Sequence, residues 1–253
     1  MLQHYSPYKV AENFNVLASL APGRVDLGIG RGPGGLPRST KALQREGGPD
    51  TQPLADKLDE LEQFLHNNLD VHHPLRGLQT SPMPPQPADL FLLGTSTSSA
   101  KLAASRGMPY VFALFLNSDE TAMYESIETY RQLFDTSQGA KPNAILALPI
   151  IVADSDNEAQ QYASEVKVVR IHLESGRTLT VTSEEAAEEF GRQSQENFTV
   201  SVHEASVVHG CQATVRMKLQ DIQKLYQVEE IIAVTAIRES QKRMRSYELL
   251  SGI

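Results

Sequence analysis

The pattern of hydrophobic and polar positions predicts helices and strands that follow one another along most of the chain. Apolar residues at helical spacing predict helices, and short runs that are apolar at every second position or throughout predict strands. The helices expected on this basis are 8–20, 51–65, 98–105, 120–134, 155–164, 183–192, 213–225 and 239–250. The strands are 24–30, 88–93, 110–116, 144–152 and 230–236. Segment 166–181 fits a helix and a hairpin equally well, and the proline-rich segment 71–87 is expected to be a surface loop.

The composition of these strands indicates the fold class. Most of them are apolar along their whole length, which is typical of parallel strands covered by helices on both faces. Strands that alternate with helices predict an α/β fold, either a doubly wound sheet or a barrel. We find no internal repeat and no linker, so one domain over residues 1–253 is expected.

Charge and composition exclude several classes of protein. The net charge of −8 argues against a nucleic-acid surface, which needs a clustered basic face. No apolar run reaches the ~20 residues that cross a bilayer, and the first residues do not resemble a signal peptide. The single cysteine, Cys211, excludes an internal disulfide, fits a reducing compartment and is interpreted as structural. We therefore expect a soluble cytoplasmic protein without nucleic-acid or membrane partners.

A glycine-rich loop follows the strand predicted over 24–30. Gly30, Gly32 and Gly35 fit the G-x-G-x-x-G pattern of dinucleotide-binding folds. Pro33 and Pro37 argue against a regular helix that starts within this loop, and such a helix would be needed to hold a pyrophosphate. A glycine-rich turn without any ligand is a further interpretation.

Arg31 lies in this loop, at the C-terminal end of the predicted strand. Parallel α/β folds place their binding sites at that end of the strands. A guanidinium suits a phosphate, and small neighbours such as Gly30 let the backbone approach a ligand closely. The structural alternative is an arginine that pairs with a carboxylate.

A second candidate is the segment Gly94-Thr95-Ser96-Thr97-Ser98-Ser99, which we call the hydroxyl loop. It lies between the strand predicted over 88–93 and the following helix. Free N–H groups, the positive end of the helix dipole and hydroxyl donors together form an anion site, although a simple Ser/Thr N-cap would need only one hydroxyl. Two phosphate-suited loops at consecutive strand ends favour one phosphorylated ligand. The candidate ligands here are Gly94, Thr95, Ser96 and Ser99.

Several stretches resemble the bacterial luciferase-like family of flavin-dependent monooxygenases. They are Pro7-Tyr8-Lys9-Val10-Ala11-Glu12, Leu17 to Leu20, Pro22-Gly23-Arg24-Val25-Asp26-Leu27-Gly28-Ile29-Gly30-Arg31-Gly32-Pro33-Gly34, Asp89-Leu90-Phe91-Leu92-Leu93-Gly94-Thr95-Ser96 and Ser99-Ala100-Lys101-Leu102-Ala103-Ala104. In the tail they are Val228-Glu229-Glu230-Ile231-Ile232 and Arg245-Ser246-Tyr247-Glu248-Leu249-Leu250. The similarity spans nearly the whole chain apart from residues 165–205.

The resemblance implies a (β/α)8 barrel of the TIM type. In this family about three βα units precede the segment that matches Met1, so the barrel is expected to be incomplete here, with an insertion of unclear structure near 165–205. The family also implies reduced FMN as cofactor, molecular oxygen as co-substrate, a separate flavin reductase and a homodimer. By position, Arg31 would bind the FMN phosphate, and Ser96 and Ser99 would complete that site with the N–H groups after Gly94.

The function expected from this resemblance is oxidation of an organic substrate by an FMN-dependent monooxygenase. The alternatives are a non-catalytic flavin-binding protein, an inactive truncated relative, or an unrelated phosphate-binding barrel or Rossmann protein. The sequence identifies neither a catalytic residue nor the substrate. The seven histidines are expected mostly at solvated positions, and their spacing predicts no metal site.

Overall fold

A computed structural model describes residues 2–32, 35–43, 52–137 and 139–253 of the chain. Contacts between residues group the chain into two compact units, Met1–Leu93 and Gly94–Ile253. In the described residues, the elements of the first unit are α1 (Pro7–Leu20), β1 (Asp26–Gly30), α2 (Pro37–Leu43), α3 (Leu54–Leu65) and β2 (Asp89–Gly94), whose last residue begins the second unit.

The first unit is built around a parallel strand pair and two packed helices. β1 and β2 run parallel, with Asp26 opposite Asp89 and Gly30 opposite Leu93. Helix α1 begins at Pro7, one residue before the predicted start, and the Ser6 hydroxyl caps it by accepting a hydrogen bond from the Lys9 N–H at 3.3 Å. Helix α3 buries Leu58, Leu61, Phe64 and Leu65, the apolar face that the sequence pattern predicts.

The segment 71–87 contains no helix or strand, as predicted, but one of its residues is anchored in the core. Thr80 is 2% exposed, and its hydroxyl donates to the Phe64 carbonyl at 2.8 Å. It also accepts from the buried side chain of Asn15 at 2.9 Å. The Thr80 N–H donates to the Asn67 side chain at 2.8 Å. The loop is therefore tied to both α1 and α3.

The glycine-rich loop is followed by a helix that the sequence analysis did not predict. Pro37 is the first residue of α2, which begins two residues after Gly35 and not within the loop. Proline has no N–H to lose in the first turn, and its fixed φ suits that position. Pro33 lies outside the described residues.

The second unit contains the remaining elements. In the described residues they are α4 (Thr97–Ala104), β3 (Tyr110–Ala113), α5 (Leu114–Asn117), α6 (Glu120–Leu133), β4 (Ala144–Val152), α7 (Asp156–Ser164), β5 (Lys167–Leu173), β6 (Thr178–Val181), α8 (Glu184–Ser194), β7 (Phe198–Glu204), β8 (Val208–Gly210), α9 (Gln212–Tyr226), β9 (Glu230–Val234) and α10 (Ser240–Leu250).

Strand β4 is the centre of a parallel sheet in this unit. β3 pairs with its first half, β9 pairs along Ile145–Pro149, and the short β8 pairs with its last three residues. All nine residues of β4 are buried. This confirms the prediction of a strand covered on both faces, which its continuous apolar run indicated.

Strand β3 is shorter than predicted. It ends at Ala113, where pairing with Ala147 also ends, and the chain turns into the single helical turn α5. The Ser118 N–H donates to the Leu114 carbonyl at 2.8 Å and closes this turn. A continuous apolar run fits a buried strand and a short buried helix equally well, so the sequence did not mark the change.

The region 165–205 forms a small antiparallel sheet with a helix on one face. The order is β6-β5-β7, and β5 and β6 form the hairpin that was one of the two alternatives for residues 166–181. Helix α8 packs on this sheet so closely that a Cβ on Gly191 would lie 2.3 Å from the Phe198 ring. The Thr180 hydroxyl donates to the Leu116 carbonyl at 2.7 Å, and Arg170 donates to the Asn117 carbonyl. The sheet is thus attached to α5.

In the part of the chain that the structure describes, none of the helices combines the length and apolar character needed to span a membrane.

Candidate phosphate-binding site

Arg31 directly follows the last residue of β1 in the first unit. Its side chain is exposed, and its backbone carbonyl accepts a hydrogen bond from the Gln3 side chain at 3.3 Å. Its guanidinium has no hydrogen bond or ion pair with any residue in the described ranges. The carboxylate partner that a structural arginine would need is therefore not found among those residues.

The glycines of β1 lie against β2. A Cβ on Gly28 would lie 2.8 Å from Cδ1 of Leu93, whereas a Cβ on Gly30 would lie 3.4 Å from the Leu93 carbonyl oxygen, at the edge of ordinary contact. The chain enters the hydroxyl loop at the residue after Leu93, which is the partner of Gly30 in the sheet. Gly30 is thus compatible with close approach of a ligand but is not required by packing against Leu93.

The hydroxyl loop opens the second unit and starts helix α4. Ser96 is the N-cap residue, and it forms a capping box with Ser99. The Ser99 N–H donates to the Ser96 hydroxyl at 3.5 Å, and the Ser96 N–H donates to the Ser99 hydroxyl at 3.3 Å. In the described residues, the N–H groups of Thr97 and Ser98 have no protein acceptor. Such free N–H groups at the first turn suit an anion.

Two residues that the sequence analysis missed form hydrogen bonds with this loop. The Tyr110 hydroxyl lies 3.0 Å from the Ser99 hydroxyl and 3.3 Å from the Ser96 carbonyl oxygen. The Asn117 side chain donates to the Thr95 carbonyl at 3.2 Å. Tyr110 is fully buried, and this burial raises the pKa of its phenol. Both residues read as ordinary core or loop positions in sequence, because their contact with residues 95–99 depends on the sheet.

The histidines differ partly from expectation. His172 bridges two strands of the antiparallel sheet, with its ring nitrogens 3.0 Å from the Thr178 hydroxyl and 2.8 Å from the Ser201 hydroxyl. Both ring nitrogens of His4 are buried. The ring nitrogens of His4 therefore differ from the solvated position expected for most of the histidines. Among the described residues, no three His, Cys, Asp or Glu side chains are arranged to hold a metal ion.

Cys211 is the N-cap residue of α9. Its N–H donates to the Asp156 carboxylate at 2.8 Å, and its sulfur lies 3.4 Å from the Thr214 hydroxyl. The Thr214 hydroxyl lowers the pKa of the Cys211 thiol.

The two units carry parallel strands joined through helices, which is the architecture of an α/β protein. The family model for luciferase-like monooxygenases matches residues 1–227. An N-acetyl-S-alkylcysteine monooxygenase from Bacillus subtilis is 34% identical over 253 residues, which are 99% of this chain and 75% of that protein. The chain therefore belongs to the luciferase-like monooxygenase family, as the sequence resemblance predicted.

Comparison with solved structures supports the same family fold. The crystal structure of apo-MsnO8 matches with a TM-score of 0.71 and 30% identity, over 100% of this chain and 74% of that one. The oxygenating constituent of 3,6-diketocamphane monooxygenase from Pseudomonas putida, in complex with FMN, matches with a TM-score of 0.62 and 16% identity, over 99% and 75%. An F420-dependent secondary alcohol dehydrogenase matches with a TM-score of 0.58 and 15% identity, over 97% and 74%. The fold is that of luciferase-like barrel proteins, and its neighbours bind flavin-type cofactors.

Proposed function

We propose that this protein is an FMN-dependent monooxygenase that uses reduced flavin and molecular oxygen to oxidise an organic substrate. The observation that carries the proposal is the exposed guanidinium of Arg31, which has no partner among the described residues. Arg31 directly follows Gly30, the last residue of β1. Gly30 is paired with Leu93 in the sheet, and Leu93 directly precedes the hydroxyl loop. Family membership and the FMN complex of a fold neighbour support the same cofactor.

In this proposal each of the two loops carries donors that would suit a phosphate monoester. Arg31 supplies a bidentate cationic donor, and Ser96 supplies a hydroxyl. Thr97 and Ser98 supply free N–H groups at the start of α4, where the helix dipole favours a negative charge. Gly30 would let the backbone approach the ligand, and Gly94, Thr95 and Ser99 shape the loop. Bound flavin would supply the oxygen chemistry, and the protein would orient it and exclude water.

The test is a titration of the purified protein with reduced FMN, reduced riboflavin and reduced F420 under anaerobic conditions. We expect FMN to bind more tightly than riboflavin, because only FMN carries the phosphate that the loops would hold. Equal affinity for FMN and riboflavin would overturn the phosphate site. Preference for F420 would replace FMN by a deazaflavin cofactor, which a neighbour of the same fold binds.

Catalysis is tested by adding oxygen and a panel of candidate substrates to the FMN complex. Because a relative is named as an N-acetyl-S-alkylcysteine monooxygenase, the panel includes N-acylated S-alkylcysteines beside aldehydes and ketones. Substrate-dependent oxygen uptake with an oxygenated product is the expected result. Tight FMN binding without any such product across the panel would favour the alternative of a non-catalytic flavin-binding protein.

We further propose a cytoplasmic homodimer that receives reduced flavin from a separate reductase. Sedimentation analysis of the purified protein tests the dimer, and a monomer at working concentration would contradict it. A flavin reductase added with NADH should support turnover, whereas NADH alone should not.

A further inference from the structure

The positions of the protons in the hydroxyl loop follow from its hydrogen bonds. The carbonyl oxygen of Ser96 accepts from the Ala100 N–H at 3.1 Å and from the Ser99 hydroxyl at 2.7 Å. The Ser99 hydroxyl has one proton and donates it to this carbonyl, so Tyr110 is the donor in its 3.0 Å contact with the Ser99 hydroxyl. The Ser96 carbonyl, at 3.3 Å, is a second and longer acceptor for the Tyr110 proton.

The Ser99 hydroxyl is saturated by this arrangement. It donates its one proton to the Ser96 carbonyl, and its two lone pairs accept from the Ser96 N–H and from Tyr110. It has no capacity left for a ligand phosphate. The Ser96 and Ser98 hydroxyls, by contrast, keep a proton for a ligand. They lie 3.1 Å apart, and one hydrogen bond between them uses only one of their two protons.

We propose that Tyr110 and Ser99 are positioning residues that hold the hydroxyl loop ready for the cofactor phosphate, and that Ser96 and Ser98 supply the hydroxyl that contacts it. This inference rests on the function proposed above, since it requires a phosphate at the loop. Tyr110 acts through Ser99 on the backbone of Ser96, which is the residue where strand geometry changes to helix.

The buried phenol suits this role because it remains a donor. Burial raises the pKa of Tyr110, so its hydroxyl keeps its proton at neutral pH. Removal of the hydroxyl would leave a lone pair of Ser99 without a donor in a part-buried site. Ser99 could then rotate away from the Ser96 N–H, and the loop would have to be ordered again at the moment of binding.

The experiment compares Tyr110→Phe with Tyr130→Phe. The two rings pack with centroids 5.5 Å apart, but the Tyr130 hydroxyl donates to the Met108 carbonyl and accepts from the Asn143 N–H, away from the hydroxyl loop. The dissociation constants of FMN and riboflavin are measured for both variants, and thermal melts verify that each is folded. We expect Tyr110→Phe to weaken FMN roughly three- to tenfold and to leave riboflavin unchanged. Tyr130→Phe should change neither the dissociation constant of FMN nor that of riboflavin.

Ser99→Ala and the double variant complete a thermodynamic cycle, and Ser99→Ala keeps the test open if Tyr110→Phe does not fold. If both residues act through one network, the double variant binds FMN about as well as either single variant. Losses that multiply would overturn the inference, because Ser99 would then act independently of Tyr110. Equal losses for FMN and riboflavin would also overturn it.

The two proposals fail in different ways. If the unmodified protein does not prefer FMN over riboflavin, the proposed phosphate site is wrong. If it prefers FMN and Arg31→Ala removes that preference while Tyr110→Phe and Ser99→Ala do not, only the positioning role is wrong.

Discussion

A Cβ atom on Gly94 would lie 2.0 Å from the hydroxyl oxygen of Ser99 and 2.3 Å from the Ser99 Cβ. These distances are far below any real contact, so α4 can begin this close to the end of β2 only without a side chain at position 94. We expect Gly94→Ala to lower the free energy of unfolding by about 1–3 kcal/mol, the range for overpacking. The same change should weaken FMN binding, because the hydroxyl loop has to move. Chemical denaturation and flavin titration measure the two effects.

Gly32→Ala is the matched control for this substitution. Within the described ranges, and apart from its chain neighbours, no atom lies within 4 Å of a Cβ built on Gly32, so the added methyl should be tolerated. If Gly94→Ala proved as stable as Gly32→Ala, the close approach of Ser99 to Gly94 would not be a real constraint.

Arg31→Ala should weaken FMN binding by about 1.5–3 kcal/mol, the range for a hydrogen bond to a charged group. Riboflavin lacks the phosphate and should bind the variant almost as well as the unmodified protein. Isothermal titration with each flavin gives the comparison. Arg24→Ala, which removes the same charge from an exposed position before the start of β1, serves as the control. Parallel losses for both flavins would mean that Arg31 has a structural role.

Thr80→Val tests the anchor of segment 71–87. The variant keeps the volume of the side chain but leaves the buried Asn15 amide without its 2.9 Å acceptor. The Phe64 carbonyl loses its 2.8 Å donor and keeps only the Asn67 N–H at 3.3 Å. An unsatisfied buried polar group costs about 1–3 kcal/mol, so we expect a loss of that order in the free energy of unfolding. Thr121→Val, at an exposed position of α6, should change stability much less. Similar denaturation midpoints for the two variants would contradict the prediction.

Cys211 should react with iodoacetamide at lower pH than an ordinary thiol. The Thr214 hydroxyl, 3.4 Å from the sulfur, lowers the pKa of the thiol. At a pH below the pKa of an ordinary cysteine, a larger fraction of Cys211 is therefore thiolate. Mass spectrometry of the alkylation rate against pH measures the midpoint, and the assignment is unambiguous because the chain has one cysteine. The midpoint should rise in Thr214→Val. A midpoint that does not move would exclude the hydroxyl as its cause.

Elements with a strong and continuous pattern were predictable from the sequence. Strand β4 was predicted as Ala144–Val152 with both ends correct. The strand has no solvated face, so its apolar run is not interrupted by polar residues and its ends are clear in the sequence. Helix α8 was predictable from Ser183 as N-cap and the acidic first turn, and the Ser183 hydroxyl indeed accepts from the Ala186 N–H at 3.2 Å.

The missed elements have identifiable causes. Strand β7 carries Val200 and Val202 between polar residues, a period-two signal that was present and overlooked. Strand β8 has three residues and is too short for any periodicity. Helix α5 interrupts an apolar run whose residues suit both states.

The candidate site was predictable only in part. Arg31 and the hydroxyl loop could be chosen because strand ends and helix starts are visible in sequence. The different roles of Ser96 and Ser99 could not, because they depend on which hydroxyl the buried Tyr110 reaches. Two serines three positions apart look equivalent until the donor behind one of them is known.

The complete burial of β4 has a practical meaning for work with this protein. No position on that strand can carry a fluorophore, a spin label or a charged tag without disturbing the interior. The antiparallel sheet offers the opposite, since β7 presents exposed side chains such as Val202 and Glu204. Because this sheet is attached to α5, and Asn117 of α5 reaches the hydroxyl loop, a probe on β7 would report on the neighbourhood of the site from a surface that tolerates modification.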